Sequence, residues 1–367
     1  MRRLLHLIAL LLVCFGLHAG RVSALETGLG PVRVEQMAGG LKEPWGVAPL
    51  PEGGFLVTER GGRLLRVRQG RKRAIAGVPQ VVARGQGGLL DITLAADFAT
   101  SRLLFLTYSA PAPGGATTAL ARARLSEDET RLEDVRVLIE ADAVTSAGRH
   151  FGSRVVEAAD GTLFLTIGDR GARPEAQNRA NHIGSILRLT RDGRVPADNP
   201  FVGQGGIRPE IWSYGHRNPQ GAALDLRGGL VTAEHGARGG DEVNFVAAGG
   251  NYGWPVISYG RHYSGGKIGE GTAKPGMEQP QFYWDPSMAP SGLMVYSGAL
   301  WPEWRGHIFV GSLKFNYIAR LTGAPLREAG QIKGTETRRV RDIVEGPDGA
   351  IWFISVGNGA VYRLTPG

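Results

Sequence analysis

Polar and apolar positions along the chain follow a two-residue alternation broken by turns, and apolar stripes at helical spacing are almost absent. The recurring unit is a short apolar strand, a Gly-containing turn and a second strand. Residues 55–58 lead through Gly61 and Gly62 to 64–67, and 103–108 pair with 119–125. The same reading joins 163–167 to 186–189, 230–232 to 243–246, 308–310 to 317–321, and 351–354 to 361–364. Several units open on the same turn chemistry, as in Pro51-Glu52-Gly53-Gly54, Ala159-Asp160-Gly161 and Pro347-Asp348-Gly349. A small sheet cannot bury its two faces alone, and a ring of sheets covers them and shields the strand edges. The pattern therefore predicts an all-β chain, a six-bladed β-propeller with four-stranded antiparallel blades. An N-terminal strand near residues 32–34 joins the last blade to close the ring. A two-sheet sandwich does not account for the repeated unit.

The first residues break the pattern. Arg2 and Arg3 precede an apolar run over residues 4–17, and small residues follow, which reads as a secretory leader cleaved after Ala24. The run is too short to span a bilayer, and no later stretch is long enough. The expected organisation is a signal peptide over 1–24 and one propeller domain over 25–367, in the periplasm or secreted. The single cysteine, Cys14, falls in the leader, so the mature chain has neither disulfides nor thiolate chemistry. Loss of Arg2, Arg3 and Arg21 with the leader lowers the formal charge from +8 to +5. The arginines are scattered among acids and glycines with no basic run, which argues against nucleic acid as a partner.

Candidate chemistry concentrates in loops. His150, in GRHFGSR before the third unit, has an ordinary pKa near 6.5 and is a candidate base. Gln86 is presented between glycines in GQGGLLD, and Arg217-Asn218 in GHRNPQG offers a rigid fork of donors. Lys314 follows a strand, and Arg339 and Arg341 flank Val340, a spacing that puts both on one face of a strand. Three such cations suggest an acidic ligand with several carboxylates. Asp241-Glu242 reads as an exposed carboxylate pair, which with Tyr252 and backbone oxygens suits calcium. No EF-hand, zinc cluster, Walker sequence, G-x-G-x-x-G fingerprint or G-x-S-x-G elbow occurs.

Taken in order, GQGGLLD, GRHFGSR, GHRNPQG, EHGARGGDEVN, NYGWP, GSLK and RVRD resemble the soluble sugar dehydrogenases that use pyrroloquinoline quinone (PQQ), the aldose sugar dehydrogenases and soluble glucose dehydrogenase. The likeness runs from Pro44-Trp45-Gly46 to Val361-Tyr362-Arg363-Leu364. It implies an enzyme that oxidises an aldose at C1 to the lactone by hydride transfer to PQQ. It assigns His150 as general base, with Arg217 and Gln86 beside it. It places PQQ against Gln86, Arg217, Asn218, Tyr263, Ser312, Leu313, Lys314, Arg339, Val340 and Arg341. It gives a structural Ca2+ to Glu242 and the Tyr252 carbonyl, and a Ca2+ that polarises the quinone to the carbonyls of Gly236 and Ala237. Glucose dehydrogenases carry an acid just before the base, and here that residue is Arg149, which favours the broader aldose type and leaves open what orients His150. The competing readings are a calcium-dependent sugar lactonase and a non-catalytic binding propeller. The physiological electron acceptor leaves no mark in the sequence.

Overall fold

The computed structural model describes residues 22–27 and 30–367. The leader read over 1–24, Cys14 included, lies outside the described residues as far as residue 21. Six antiparallel sheets follow one another along the chain. Blade 1 comprises Pro44–Pro49, Phe55–Glu59, Arg63–Arg68 and Arg71–Ile75. Blade 2 comprises Leu89–Leu94, Leu103–Ala112, Gly115–Leu125 and Leu132–Glu140. Blade 3 is Val155–Glu157, Thr162–Thr166, Ser185–Thr190 and Ile211–Tyr214. Blade 4 is Pro219–Leu224, Leu230–Glu234, Asp241–Val246 and Phe282–Trp284. Blade 5 is Pro290–Val295, Ile308–Ser312, Ile318–Thr322 and Arg327–Ile332. Blade 6 begins Val340–Glu345, Ile351–Ser355 and Ala360–Pro366. Its fourth strand comes from the other end of the chain, where Gly30–Ala38 pairs antiparallel with Ala360–Pro366. Val22–Thr27 adds a fifth strand outside it, paired to Gly30–Ala38. The ring is therefore a six-bladed propeller closed by its N-terminal strand.

The hairpins visible in the sequence are the second and third strands of each blade. The second strands Phe55–Glu59, Thr162–Thr166 and Ile351–Ser355 are buried along their whole length, which is why they read as apolar runs. Each neighbouring pair of blades shares an apolar core. Leu56 and Leu64 meet Leu89 and Leu104 between blades 1 and 2, and Phe309 and Ile318 meet Ile343 and Phe353 between blades 5 and 6. The core between blades 3 and 4 is smaller, built on Phe164, Ile186 and Leu230.

Hydroxyls stitch the inner strands together. Thr58 accepts from the Gly46 N–H at 2.8 Å and donates to the Leu90 carbonyl of blade 2 at 2.5 Å. Thr107 repeats this between Asp91 N–H and Ser153 O, and Thr166 between Arg154 N–H and Pro219 O. All three threonines are fully buried, so each satisfies two backbone groups that no strand partner reaches.

An ion cluster fills the centre of the ring. Arg154 Nη1 lies 2.8 Å from Asp91 Oδ1 and 2.7 Å from Asp342 Oδ1. Its Nη2 donates to the Arg341 carbonyl and its Nε to the Gln220 carbonyl. The second oxygens of Asp342 and Asp91 accept from Val47 N–H and Val155 N–H. One guanidinium thus ties blades 1, 2, 3, 4 and 6 beneath the face that carries the site.

Candidate functional site

On one face of the ring a cavity of about 670 Å³ is lined by Trp45, Arg60, Gln86, Gln220, His235, Leu313, Lys314, Arg339 and Arg341. A second cavity of about 790 Å³ shares His235, Ala289 and Lys314 with it and continues past Gly236, Ala237, Tyr263 and Asp285. Lys314, Arg339 and Arg341 therefore converge. They do so differently from the simple reading of their spacing: Arg339 precedes the strand Val340–Glu345 and is left-handed, with φ 51°. Its N–H donates to Asn316 Oδ1, and its Nη1 to the Leu313 carbonyl. Arg341 points at Gln220, whose Oε1 accepts from Arg341 Nη1 at 2.7 Å and lies 3.2 Å from His235 Nε2. Burial, then the neighbouring charges of Arg154, Arg339 and Arg60, push the Arg341 guanidinium down to about 9, and Asp342 offsets this only in part. A cluster of like charges held this way is stabilised by a polyanion, and a rigid tricarboxylate fits the donors present.

His150 stands on a loop held in place by its neighbours. Its φ is 54°, and its N–H donates to Gln86 Oε1 at 2.7 Å. Its Nδ1 is 2.6 Å from Oδ1 of Asp169, which is fully buried. Asp169 also accepts from Gly171 N–H at 2.7 Å and from Trp254 Nε1 at 2.8 Å. Burial acts to raise the Asp169 pKa, but the bond to His150, its charge and the Gly171 donor together hold it below the usual carboxylate range. Burial lowers the His150 pKa below 6.5, helped by Arg217 and Arg149 and opposed by Asp169. Asp169 therefore orients the His150 ring in place of an acid at 149. It lies in Gly168-Asp169-Arg170, directly after an apolar strand, a pattern the sequence reading passed over.

Arg217 is buried close to both histidines, and its charge lowers the pKa of each. Its Nη1 donates to the His235 carbonyl, its guanidinium lies 5.3 Å from the Trp254 ring, and its buried Nε has no protein partner. Glu234 anchors this turn by accepting from Arg217 N–H and, through its other oxygen, from Asn244 Nδ2, with His216 Nδ1 3.1 Å away. Asn218 shapes the loop that carries His150, its Oδ1 accepting from Gly152 N–H. Ser312 and Val340 are fully buried; the Ser312 hydroxyl donates to the Met288 carbonyl, so neither side chain faces the cavity.

The Asp241-Glu242 pair is not an exposed pair. Asp241 accepts from Gly236 N–H, Ala289 N–H and Ser287, and is a structural brace. Glu242 lies beside Glu234 at a hole of about 20 Å³ lined also by Gly236 and Tyr252. Burial first, and the Glu234 charge second, raise the Glu242 pKa to about 8. Buried Glu234 and half-buried Glu242, bridged only by Asn244, suit a cation. Among the described residues no three His, Cys, Asp or Glu side chains converge as a metal site, so calcium there would draw on backbone oxygens, which it accepts readily.

Residues 41–363 match the glucose/sorbosone dehydrogenase family, and the chain belongs to it. It is an oxidoreductase of the sugar dehydrogenase class. It is 41% identical to the aldose sugar dehydrogenase YliI of Escherichia coli over 354 residues, covering 94% of this chain and 95% of that one. The crystal structure of the soluble E. coli aldose sugar dehydrogenase in its apo form matches with a TM-score of 0.88, covering 92% of this chain and all of that one. The PQQ-bound aldose sugar dehydrogenase of Streptomyces coelicolor is 27% identical with a TM-score of 0.75, over 94% of this chain and 98% of that one.

Proposed function

We propose that this chain oxidises aldose sugars at C1 to the lactone with PQQ as cofactor and His150 as general base. The observation that carries the reading is the convergence of Lys314, Arg339 and Arg341 in one cavity, with Gln86 on its wall and His150 bonded to Gln86. Lys314, Arg339 and Arg341 hold the carboxylates of the cofactor, and Tyr263 and Leu313 flank it. When bound, the quinone supplies a hydride acceptor, and Ca2+ on the Gly236 and Ala237 carbonyls supplies a Lewis acid. Glu242 and the Tyr252 carbonyl hold a structural Ca2+.

The residues of the chain prepare the proton transfer. Asp169 is ionised and accepts at His150 Nδ1, so the proton of the neutral imidazole rests on Nδ1 and the lone pair is left on Nε2. His150 Nε2 takes the proton of the anomeric hydroxyl, and the developing imidazolium is stabilised by Asp169. Arg217, with its unpaired buried Nε, supports negative charge building opposite the sugar. The lactonase alternative asks for metal-binding carboxylates in the channel; among the described residues Asp91 and Asp342 are committed to Arg154, and Glu43 on the cavity wall to Arg60.

The test is to mix the purified chain with PQQ and Ca2+, add aldoses in turn, and follow reduction of a dye. His150→Ala should lose about 100- to 10,000-fold in turnover, the usual worth of a general base, while binding the quinone as before. Chelated protein should stay inactive until Ca2+ returns, and Mg2+ should restore little because it demands a small octahedral shell. Unchanged turnover in the alanine variant removes His150 from the mechanism.

A further inference from the structure

We propose that the rim of this cavity is a docking surface for an acidic, one-electron carrier protein that removes the electrons after sugar oxidation. This rests on the sugar dehydrogenase reading above. Each sugar that loses two electrons and two protons to give its lactone must reduce two molecules of such a carrier, with two protons passing to water.

The charge on the rim points to that partner. Six arginines stand round the opening beyond Lys314, Arg339 and Arg341: Arg84, Arg149, Arg173, Arg238, Arg261 and Arg338. Arg84 lies two residues before Gln86, and the Arg149 guanidinium lies against Gly171 beside the base loop. Arg173 Nη1 is 3.0 Å from His262 Nδ1. Arg238 and Arg261 pair through their backbones on the wall of the second cavity, and Arg338 packs on Gly357 at the edge of the first. All but Arg173 are exposed. None of the six forms an ion pair with a carboxylate of the described residues, although arginines elsewhere, such as Arg122, Arg188 and Arg363, do. Among the described residues the acidic side chains lining the two large cavities are Glu43, which Arg60 holds, and Asp285. The rim is strongly cationic and largely unneutralised.

Two further features choose the kind of partner. The arginines sit on the connections between blades 1 and 2, 2 and 3, and 5 and 6, and on loops of blades 3 and 4. A sugar or a small anion touches one arc of such a ring, whereas the face of a protein spans it. At the centre of the ring Asp91 and Asp342 are paired with Arg154, so no unpaired acid there offsets the charge of the rim. An acidic carrier is drawn to that opening by the summed field, and a basic one is repelled.

The experiment uses the holoenzyme with an aldose it oxidises and compares plastocyanin, an acidic copper protein, with cytochrome c, a basic haem protein. Phenazine methosulfate, a small cation, reports the sugar half-reaction. The rate constant for plastocyanin should exceed that for cytochrome c at about 10 mM ionic strength and fall at least roughly tenfold by about 200 mM, as screening shortens the field. The double variant Arg84→Glu/Arg238→Glu should lose about tenfold with plastocyanin and keep its dye rate within about twofold. Titration calorimetry of plastocyanin into the protein should show binding at low salt that the variant and high salt abolish. Equal rates for the two carriers, salt independence, or binding untouched by charge reversal overturns the docking surface. Absence of dye reduction with every aldose instead overturns the sugar dehydrogenase reading, and the calorimetric titration still decides the surface.

Discussion

Trp254 grips Asp169 from the side opposite His150: its Nε1 donates to Oδ2 at 2.8 Å, while Oδ1 lies 2.6 Å from His150 Nδ1. Trp254 belongs to a loop of blade 4 and Asp169 to blade 3, so the His150 ring is aligned across a blade boundary. Gln177 fixes the far side by donating to the Trp254 carbonyl and to Asn251.

This relation predicts a graded loss of activity. Asp169→Asn removes the charge that holds the tautomer and should cost at least roughly 100-fold in kcat, within the range of general base catalysis. Trp254→Phe keeps the ring and deletes one donor to a charged acceptor, a loss of about 1.5–3 kcal/mol if fully felt and about tenfold in kcat. Steady-state kinetics with melting curves separate this from misfolding. A Trp254→Phe enzyme at full rate would falsify the alignment.

The base should work below neutrality. A base acts deprotonated, and burial holds the His150 pKa under 6.5, so the acid limb of kcat/KM lies below pH 6.5 and activity persists into mild acid. Arg149→Gln removes one of the charges that depress the pKa, so the limb should move to higher pH. A limb that stays put would show that Arg149 does not reach the imidazole.

Cofactor affinity should depend on Arg341. Arg341→Gln removes a buried cation whose pKa of about 9 reflects burial first and then crowding by Arg154, Arg339 and Arg60. Loss of a charge-assisted bond should weaken quinone binding roughly 10- to 100-fold, read by absorbance titration of the cofactor. The same variant should be no less stable without cofactor, because relief of repulsion offsets the lost contact to Gln220.

The central cluster makes a stability prediction. Arg154→Met leaves Asp91 and Asp342 facing each other without their cation and should destabilise the ring by about 3–5 kcal/mol. Burial and Asp342 already raise Asp91 to about 6 against the opposing Arg154 charge. A carboxyl whose folded pKa is raised contributes less stability as pH climbs from about 4 towards that value. The variant should therefore melt closer to wild type at pH 5 than at pH 8. An equal deficit at both would mean the carboxylates stay neutral throughout.

The middle strands were legible because each second strand is sheathed by neighbours on both faces and must be apolar. The first strands were not. Pro44–Pro49 and Pro219–Leu224 line the channel with Pro, Gly and Trp, and the fourth strand Arg71–Ile75 is exposed over four of its five residues. Neither type carries the alternation that marks a half-buried strand. In the site, Gln86, His150, Lys314 and Arg341 stood out because loop glycines or paired cations flagged them. Asp169, His235 and Gln220 did not, since a single polar residue at the end of a strand looks like any cap.

The order of hydrophobic runs and turns was enough, by itself, to specify six hairpins and a ring, since a closed ring covers both faces of each small sheet. It also supplied the cations and the imidazole. Which of them meet was decided by ring closure, which carries residues 150, 169, 217 and 254 from separate turns to one rim, whereas Glu242 faces Glu234 through the register of a hairpin within blade 4. Burial and neighbouring charge set the protonation of those groups, and both are properties of the assembled ring that no local stretch of sequence contains.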